Sequence, residues 1–269
     1  MVKGCIYTHQ GWADIVVCLS LINHYHELFD ELAVLVRSDA ALMTDFYIRT
    51  LPNVYTVPIE TDNGRFYGRI DTESSRERVV GGAFVEIPSD YSILFHDAHD
   101  GHRRDRYKSF SQKFGHSFKS NHFAKNFYEY YDIPYSYRTT KFSVKRDRSE
   151  EEQIYIKFVE QYGEKYIVYH DDESNHLHGS HHISTKLKIN SDLPKINLNK
   201  ITYKFFDYLS VIERAQEIHL IDSVWACLIY QFDARYNLLG GKSVHLYALR
   251  GHTYLFEPKL ENWIICESH

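Results

Sequence analysis

The sequence predicts an α/β protein built of two parallel-sheet halves, and three observations carry the prediction. Short β-rich runs alternate with helix-length stretches from the first residues onward, the pattern of β-α-β units. The alternation pauses in a polar tract and resumes near residue 140, so two Rossmann-like halves are placed at 1–138 and 139–269. Polar clusters stand at the ends of the expected strands, where ligands of such sheets bind.

"KGCIYT" (3–8) reads as the first strand, "HQGWAD" as a loop, and Ile15 to about His26 as a helix. "ELAVLVR" is the second strand, "DAALMTDFYIRTL" a helix with Asp39 as N-cap, and "NVYTVPI" the third strand. A polar stretch, 62–82, precedes the strand "YSILFH" and a helix over 120–131. In the second half, "SEEEQIYIKFVEQYG" opens with Ser149 as cap and acids in its first turn. Strands "KYIVYH", "KLKIN", "EIHLID" and "SVHLYA" follow, with helices over 204–215 and 224–232. The C-terminal tail is expected to pack back on the first half. No G-x-G-x-x-G appears, which disfavours a dinucleotide site of the usual kind.

A net charge of −5 and a pI near 6.4 argue against broad nucleic-acid binding, which needs a basic surface. The cysteines, Cys5, Cys18, Cys227 and Cys266, have no zinc-ligand spacing and read as thiols in a reducing compartment. No apolar run reaches the ~18 residues of a membrane span, and the start lacks a signal-peptide pattern, so a cytoplasmic location is expected. The 22 Tyr and 16 Phe offer stacking faces for sugars and bases as well as for a core.

The most informative stretch is "EIHLIDSVWACLIYQFDA". A strand runs through Asp222 and Ser223 into an apolar helix, whose N-terminus carries unpaired amides and a partial positive charge. Ser223 is either a plain cap or part of an anion cradle. Glu213 sits near the end of the preceding helix, where a carboxylate could accept two ribose hydroxyls; the plainer reading is a surface ion pair. After the strand "KYIVYH", His170, Asp171 and Asp172 could bind a ribose, a base or a phosphate. At the first strand's end, Asp14 is a candidate general base, with His9 as competitor, though an Asp there also suits a helix dipole. Trp12 is either a sugar platform or a core aromatic. Asp71 and Glu73 lie in a candidate acceptor loop and are a second source of the base.

The segments "IERAQEIHLIDS" and "GWADIV" resemble the donor-site segment and the Gly-Asp element of GT-B glycosyltransferases, which have two Rossmann-like domains facing across a cleft. "FYEYYDIPYSYRTTKFSVKRDRSEEE" and "YIVYHDD" are similar to segments of small members from bacterial polysaccharide clusters and large DNA viruses. The resemblance implies transfer from a nucleotide sugar, a UDP-sugar such as UDP-xylose, to a hydroxyl of a glycan or glycoprotein acceptor, for example on fucose. It places the catalytic base at Asp14. It also implies no metal or other cofactor, and the chain has no Asp-x-Asp motif of the kind that holds a metal in the other main glycosyltransferase fold. The diphosphate would then rest on helix amides and basic groups, with Arg138, Lys141, Arg146 and His219 as candidates.

Two rivals come from other classes. A metal-dependent phosphohydrolase would use the His-Asp pairs of "HDAHDGHRR" and "YHDD", and a non-catalytic carbohydrate-binding protein would use the aromatics alone. Arg103 and Arg104 fit a solvated loop as well as a phosphate contact. Nucleophilic hydrolysis lacks a G-x-S-x-G motif.

Overall fold

The computed structural model describes residues 1–8, 12–59, 77–80, 83–86, 91–96, 123–129, 132–173, 183–184, 187, 189–199, 201, 204–248, 256 and 259–266. The first half contains β1 (Lys3–Thr8), α1 (Trp12–Tyr25), β2 (Glu31–Arg37), α2 (Ala41–Ile48) and β3 (Val54–Ile59). It continues with β4 (Glu77–Val80), β5 (Ala83–Glu86), β6 (Tyr91–His96), α3 (Phe123–Glu129) and α4 (Tyr137–Thr140). Strands β3-β2-β1-β6 form one sheet in that order, parallel throughout. The β2 run Leu32–Val36 is buried at every residue, as expected of a parallel strand covered on both faces. Gly4 of β1 is required by close approach: a Cβ there would meet the Phe29 ring at 2.8 Å.

The second half holds α5 (Arg148–Tyr162), β7 (Ile167–His170), β8 (Asp172–Glu173), β9 (Ile183–Ser184), β10 (Lys195–Asn197) and α6 (Leu209–Arg214). It ends with β11 (Glu217–Ile221), α7 (Val224–Tyr236), β12 (Val244–Tyr247) and β13 (Trp263–Cys266). The sheet order is β10-β7-β11-β12-β13, again all parallel. The mixed α/β class with two parallel sheets is therefore as the sequence predicts.

A helical layer joins the two sheets. α1 packs along α7, and α4 touches both. Both long helices are apolar on nearly every side: Ile15–Asn23 and Trp225–Asp233 are buried without a break. Such all-round burial belongs to a helix between two packed layers, not to a surface helix with one apolar stripe. One continuous core includes residues of both halves, and each large apolar side chain in it contributes roughly 1.5–3 kcal/mol relative to exposure. The connection between halves is stitched to α1 by polar contacts. Ser20 Oγ donates to the Arg138 carbonyl at 2.6 Å, and Asn23 Nδ2 donates to the Lys141 carbonyl at 2.9 Å.

Several local expectations are corrected. α1 starts at Trp12, not Ile15, so Asp14 lies in its first turn. Asp39 caps nothing; its carboxylate accepts from Trp12 Nε1 and pairs with Arg37. α5 is capped by Asp147, whose carboxylate accepts from the Glu150 amide at 3.2 Å, instead of Ser149. The described residues of "KLKIN", Leu187, Ile189 and Asn190, are not in a strand. The similar run Lys195–Asn197 takes that place, because Ile196 fills the core and Pro194 accepts from the Ile167 amide. In the described part of the tail, "WIIC" is the fifth strand of the second sheet. β4 and β5 form a hairpin where only a polar tract was expected.

Candidate functional site

In the second sheet the chain moves from β7 outward to β10, then crosses back to β11 on the other side. The boundary between β7 and β11 is thus the topological switch point, and ligands of open parallel sheets bind at the carboxyl ends of strands beside it. Here β7 delivers His170 and Asp171, and β11 delivers Asp222 and Ser223. Ser223 Oγ and His170 Nδ1 are 3.0 Å apart, a buried bond across that boundary. Burial pushes His170 down to about 4, against a smaller upward pull from Asp171, so the imidazole is neutral at pH 7.

This bond answers whether Ser223 is a plain cap. It occupies the N-cap position of α7, yet its hydroxyl makes no capping bond and turns to His170 instead. The first turn of α7 carries no acid either. A thirteen-residue helix therefore places its N-terminus beside the switch point with no side-chain cap bond and no first-turn acid, the buried Asp222 standing just before its Ser223 N-cap. Ser223 has ordinary extended dihedrals (φ −138°, ψ −179°), unlike the strained turn of a hydrolase nucleophile. Next to it, Asp171 and Asn199 make a reciprocal pair: Asn199 Nδ2 donates to Asp171 Oδ1 at 2.8 Å, and the Asp171 amide donates to Asn199 Oδ1 at 3.1 Å. Asn199 had no sequence signal beyond following a strand. Asp172 begins β8, which pairs with Ile183–Ser184.

The first half brings the start of α1 to the same region. Phe205 packs edge-on against Trp12 (centroids 5.2 Å apart) and against Trp225 of α7 (4.8 Å). Farther along, Asn23 near the end of α1 bonds Tyr47 Oη and the Lys141 carbonyl, and the neighbouring Phe142 contacts both Tyr47 and Phe232 of α7. The two helices thus run in the same sense, with both N-termini at one end of the layer. Asp14 lies there, half-buried in the first turn of α1. Trp12 itself is accounted for by packing on Phe205 and its bond to Asp39. His9, Asp71, Glu73 and the "DAHDGHRRDR" stretch lie outside the described residues.

The remaining candidates are placed elsewhere. Glu213 precedes β11, so it sits at the amino edge of the sheet; the five-residue strand separates it from Ser223 by about 15 Å. Its carboxylate pairs with Arg146 at 2.7 Å and Arg148 at 2.8 Å. Arg146 also holds the fully buried Glu151, which accepts from Ser210 Oγ at 2.8 Å. Arg146, Arg148 and Glu213 line a surface cavity of ≈ 380 Å³ together with Val144 and Tyr236. Lys141 pairs with Glu27 at 2.7 Å, and Arg138 is buried with its guanidinium 4.8 Å from the Tyr230 ring centre. All three basic candidates have structural partners. His219 points to the opposite face of the sheet from the core residues Ile218 and Leu220. Burial lowers it, Glu217 opposes, and His245 adds to the lowering.

No protein-family model, curated protein or solved structure matches this chain.

Proposed function

We propose that the chain is a glycosyltransferase of the GT-B type, taking a nucleotide sugar at the carboxyl edge of the second sheet and an acceptor hydroxyl from the first half. The observation that carries this reading is the Ser223–His170 bond at the switch point, which leaves the α7 N-terminus to an anion. A nucleoside diphosphate fits that chemistry: its phosphates would meet the first-turn amides, and Asp171 with Asn199 would face the nucleoside. In this assignment Asp14 takes the proton from the acceptor hydroxyl, the sugar–oxygen bond to the diphosphate breaks, and the acceptor attacks from the opposite side with inversion. The leaving diphosphate is stabilised by the fixed amide dipoles of α7, since Arg138, Lys141 and Arg146 are held by other partners. The cleft would open above the shared helical layer, with donor and acceptor on its two sides. A UDP-sugar, UDP-xylose among those to try, and a glycan hydroxyl are the substrates proposed.

Thermal unfolding with UDP, GDP, ADP and CMP in EDTA tests the site, because a ligand bound only to the folded chain raises its Tm. One nucleoside diphosphate should give a clear rise; no rise with any of them sinks the reading. Asp14→Asn should then abolish sugar transfer while keeping that Tm rise. Retained turnover removes Asp14 from the role.

A further inference from the structure

The face of the second sheet turned away from α7 carries a donor set that the transfer reading does not use. Glu217 and His219 stand two residues apart on β11, and the two-residue period of a strand points both to the same side. His245 on β12 is the direct register partner of His219. Ligand atoms of these three side chains all lie within 4.8 Å of one another. The two imidazoles are stacked, with centroids 4.5 Å apart and planes 6° from parallel. Their neighbours fix the orientation of His219: Tyr247 Oη lies 3.2 Å from Nδ1, and Glu217 Oε2 lies 3.1 Å from Nε2.

We propose that Glu217, His219 and His245 form a binding site for a divalent transition-metal ion of the zinc class. Two imidazoles and one carboxylate are borderline donors that suit zinc better than magnesium or calcium, which prefer all-oxygen sets. The spacing supports this. Metal–nitrogen and metal–oxygen bonds of about 2.0–2.2 Å in a tetrahedron put ligand atoms roughly 3.3 Å apart, close to the 3.1 Å between Nε2 and Glu217 Oε2. With Nδ1 held by Tyr247, Nε2 is the metal-binding nitrogen of His219, an outer hydrogen bond of the kind that fixes metal-bound histidines. His245 closes the site with a small shift of its half-exposed ring. Three protein ligands leave a fourth position for water. The ion would clamp β11 to β12 in the middle of the sheet. His219 is turned from the face that carries His170 and Ser223, so the site is independent of nucleotide binding and of the transfer reading.

The test is zinc binding by the full chain, stripped with EDTA and dialysed against buffered Zn²⁺, with metal content measured per chain. One tight zinc is expected, weakened at least ~100-fold by His245→Ala, since even outer-shell changes cost 10–100-fold. Glu217→Gln, at a half-exposed position, should weaken binding in the same direction and serves if His245→Ala fails to fold by circular dichroism. The sequence also holds His176, His178, His181 and His182 in one short stretch. Replacing those four with Ser should leave the tight zinc in place. The proposal is overturned if the chain retains no tight zinc, if binding survives both Glu217→Gln and His245→Ala, or if it disappears only with the four-histidine replacement.

Discussion

Two helices of the second half begin in opposite ways. α5 closes its own N-terminus: the Asp147 carboxylate accepts from the Glu150 amide, and Glu150 and Glu151 add negative charge to the first turn. α7 does none of this, and the one hydroxyl in capping position is bonded to His170. The same contrast runs across the sheet. Its amino edge is closed by the Arg146–Glu151–Glu213 ion pairs, whereas its carboxyl edge sets the neutral Ser223–His170 pair, with Asp171 and Asp222 beside it, around a helix end that carries no capping bond of its own. An edge whose charges are already satisfied is architecture. An edge that holds an uncapped helix end beside a neutral imidazole is where the proposed nucleotide would bind.

The sharpest way to test this contrast is to break the closed edge. Arg146→Ala leaves Glu151 buried with its main counter-charge gone and should cost about 3–5 kcal/mol in urea unfolding. The nucleotide-induced Tm rise should survive in whatever fraction stays folded; losing it would mean that the two edges are not separate. At the open edge, the folded state holds His170 neutral well below the 6.5 of a free imidazole. The unfolded chain therefore binds the extra proton first as pH falls, and stability is lost between pH 6.5 and about 4. The loss amounts to about 3 kcal/mol. His170→Gln keeps a hydrogen-bonding partner for Ser223 and should flatten that part of the stability–pH curve; an unchanged curve would place the titration elsewhere.

Smaller changes exchange the characters of the two helices. Asp147→Ala removes the cap of α5 and should cost about 1 kcal/mol with no effect on nucleotide binding. Val224→Glu supplies α7 with the first-turn acid it lacks. Val224 is half-buried against the core, so stability should fall by about 1 kcal/mol, yet the Tm rise with nucleoside diphosphate should disappear. If the rise persists, the α7 N-terminus is not where the phosphates bind.

Much of the scaffold was legible because its strands are apolar and continuous: β1, β2, β3, β6, β11 and β12 stand within a residue or two of their expected places. β13 escaped notice because Ile264 and Ile265 are exposed and the run is only four residues long. β10 competed with the near-identical "KLKIN", and only the core contact of Ile196 decides between them. The site was half legible. That His170 and Ser223 belong together depends on strand order, which connects positions 53 residues apart and leaves no local trace. Glu213 is a different kind of miss. A residue just before a parallel strand must lie at the amino edge, so its distance from Ser223 was already implied by its place in "IERAQEIHLIDS". The Glu217–His219–His245 face carried a signal too, in the matching offsets of "EIHLI" and "VHLY".

The Phe205 contacts give the chain an optical property. Of its three tryptophans, Trp12 and Trp225 press on that one ring from opposite halves of the molecule. Trp263 sits deep in the second half, its indole N–H donating to Asp233 at 3.1 Å. Ultraviolet-excited emission is therefore weighted toward the seam between the halves, with Trp263 as an internal reference. Any motion of one half against the other alters the surroundings of two emitters while leaving the third unchanged, so the native chain is a label-free gauge of that motion, and a Trp263→Phe variant isolates the two seam emitters.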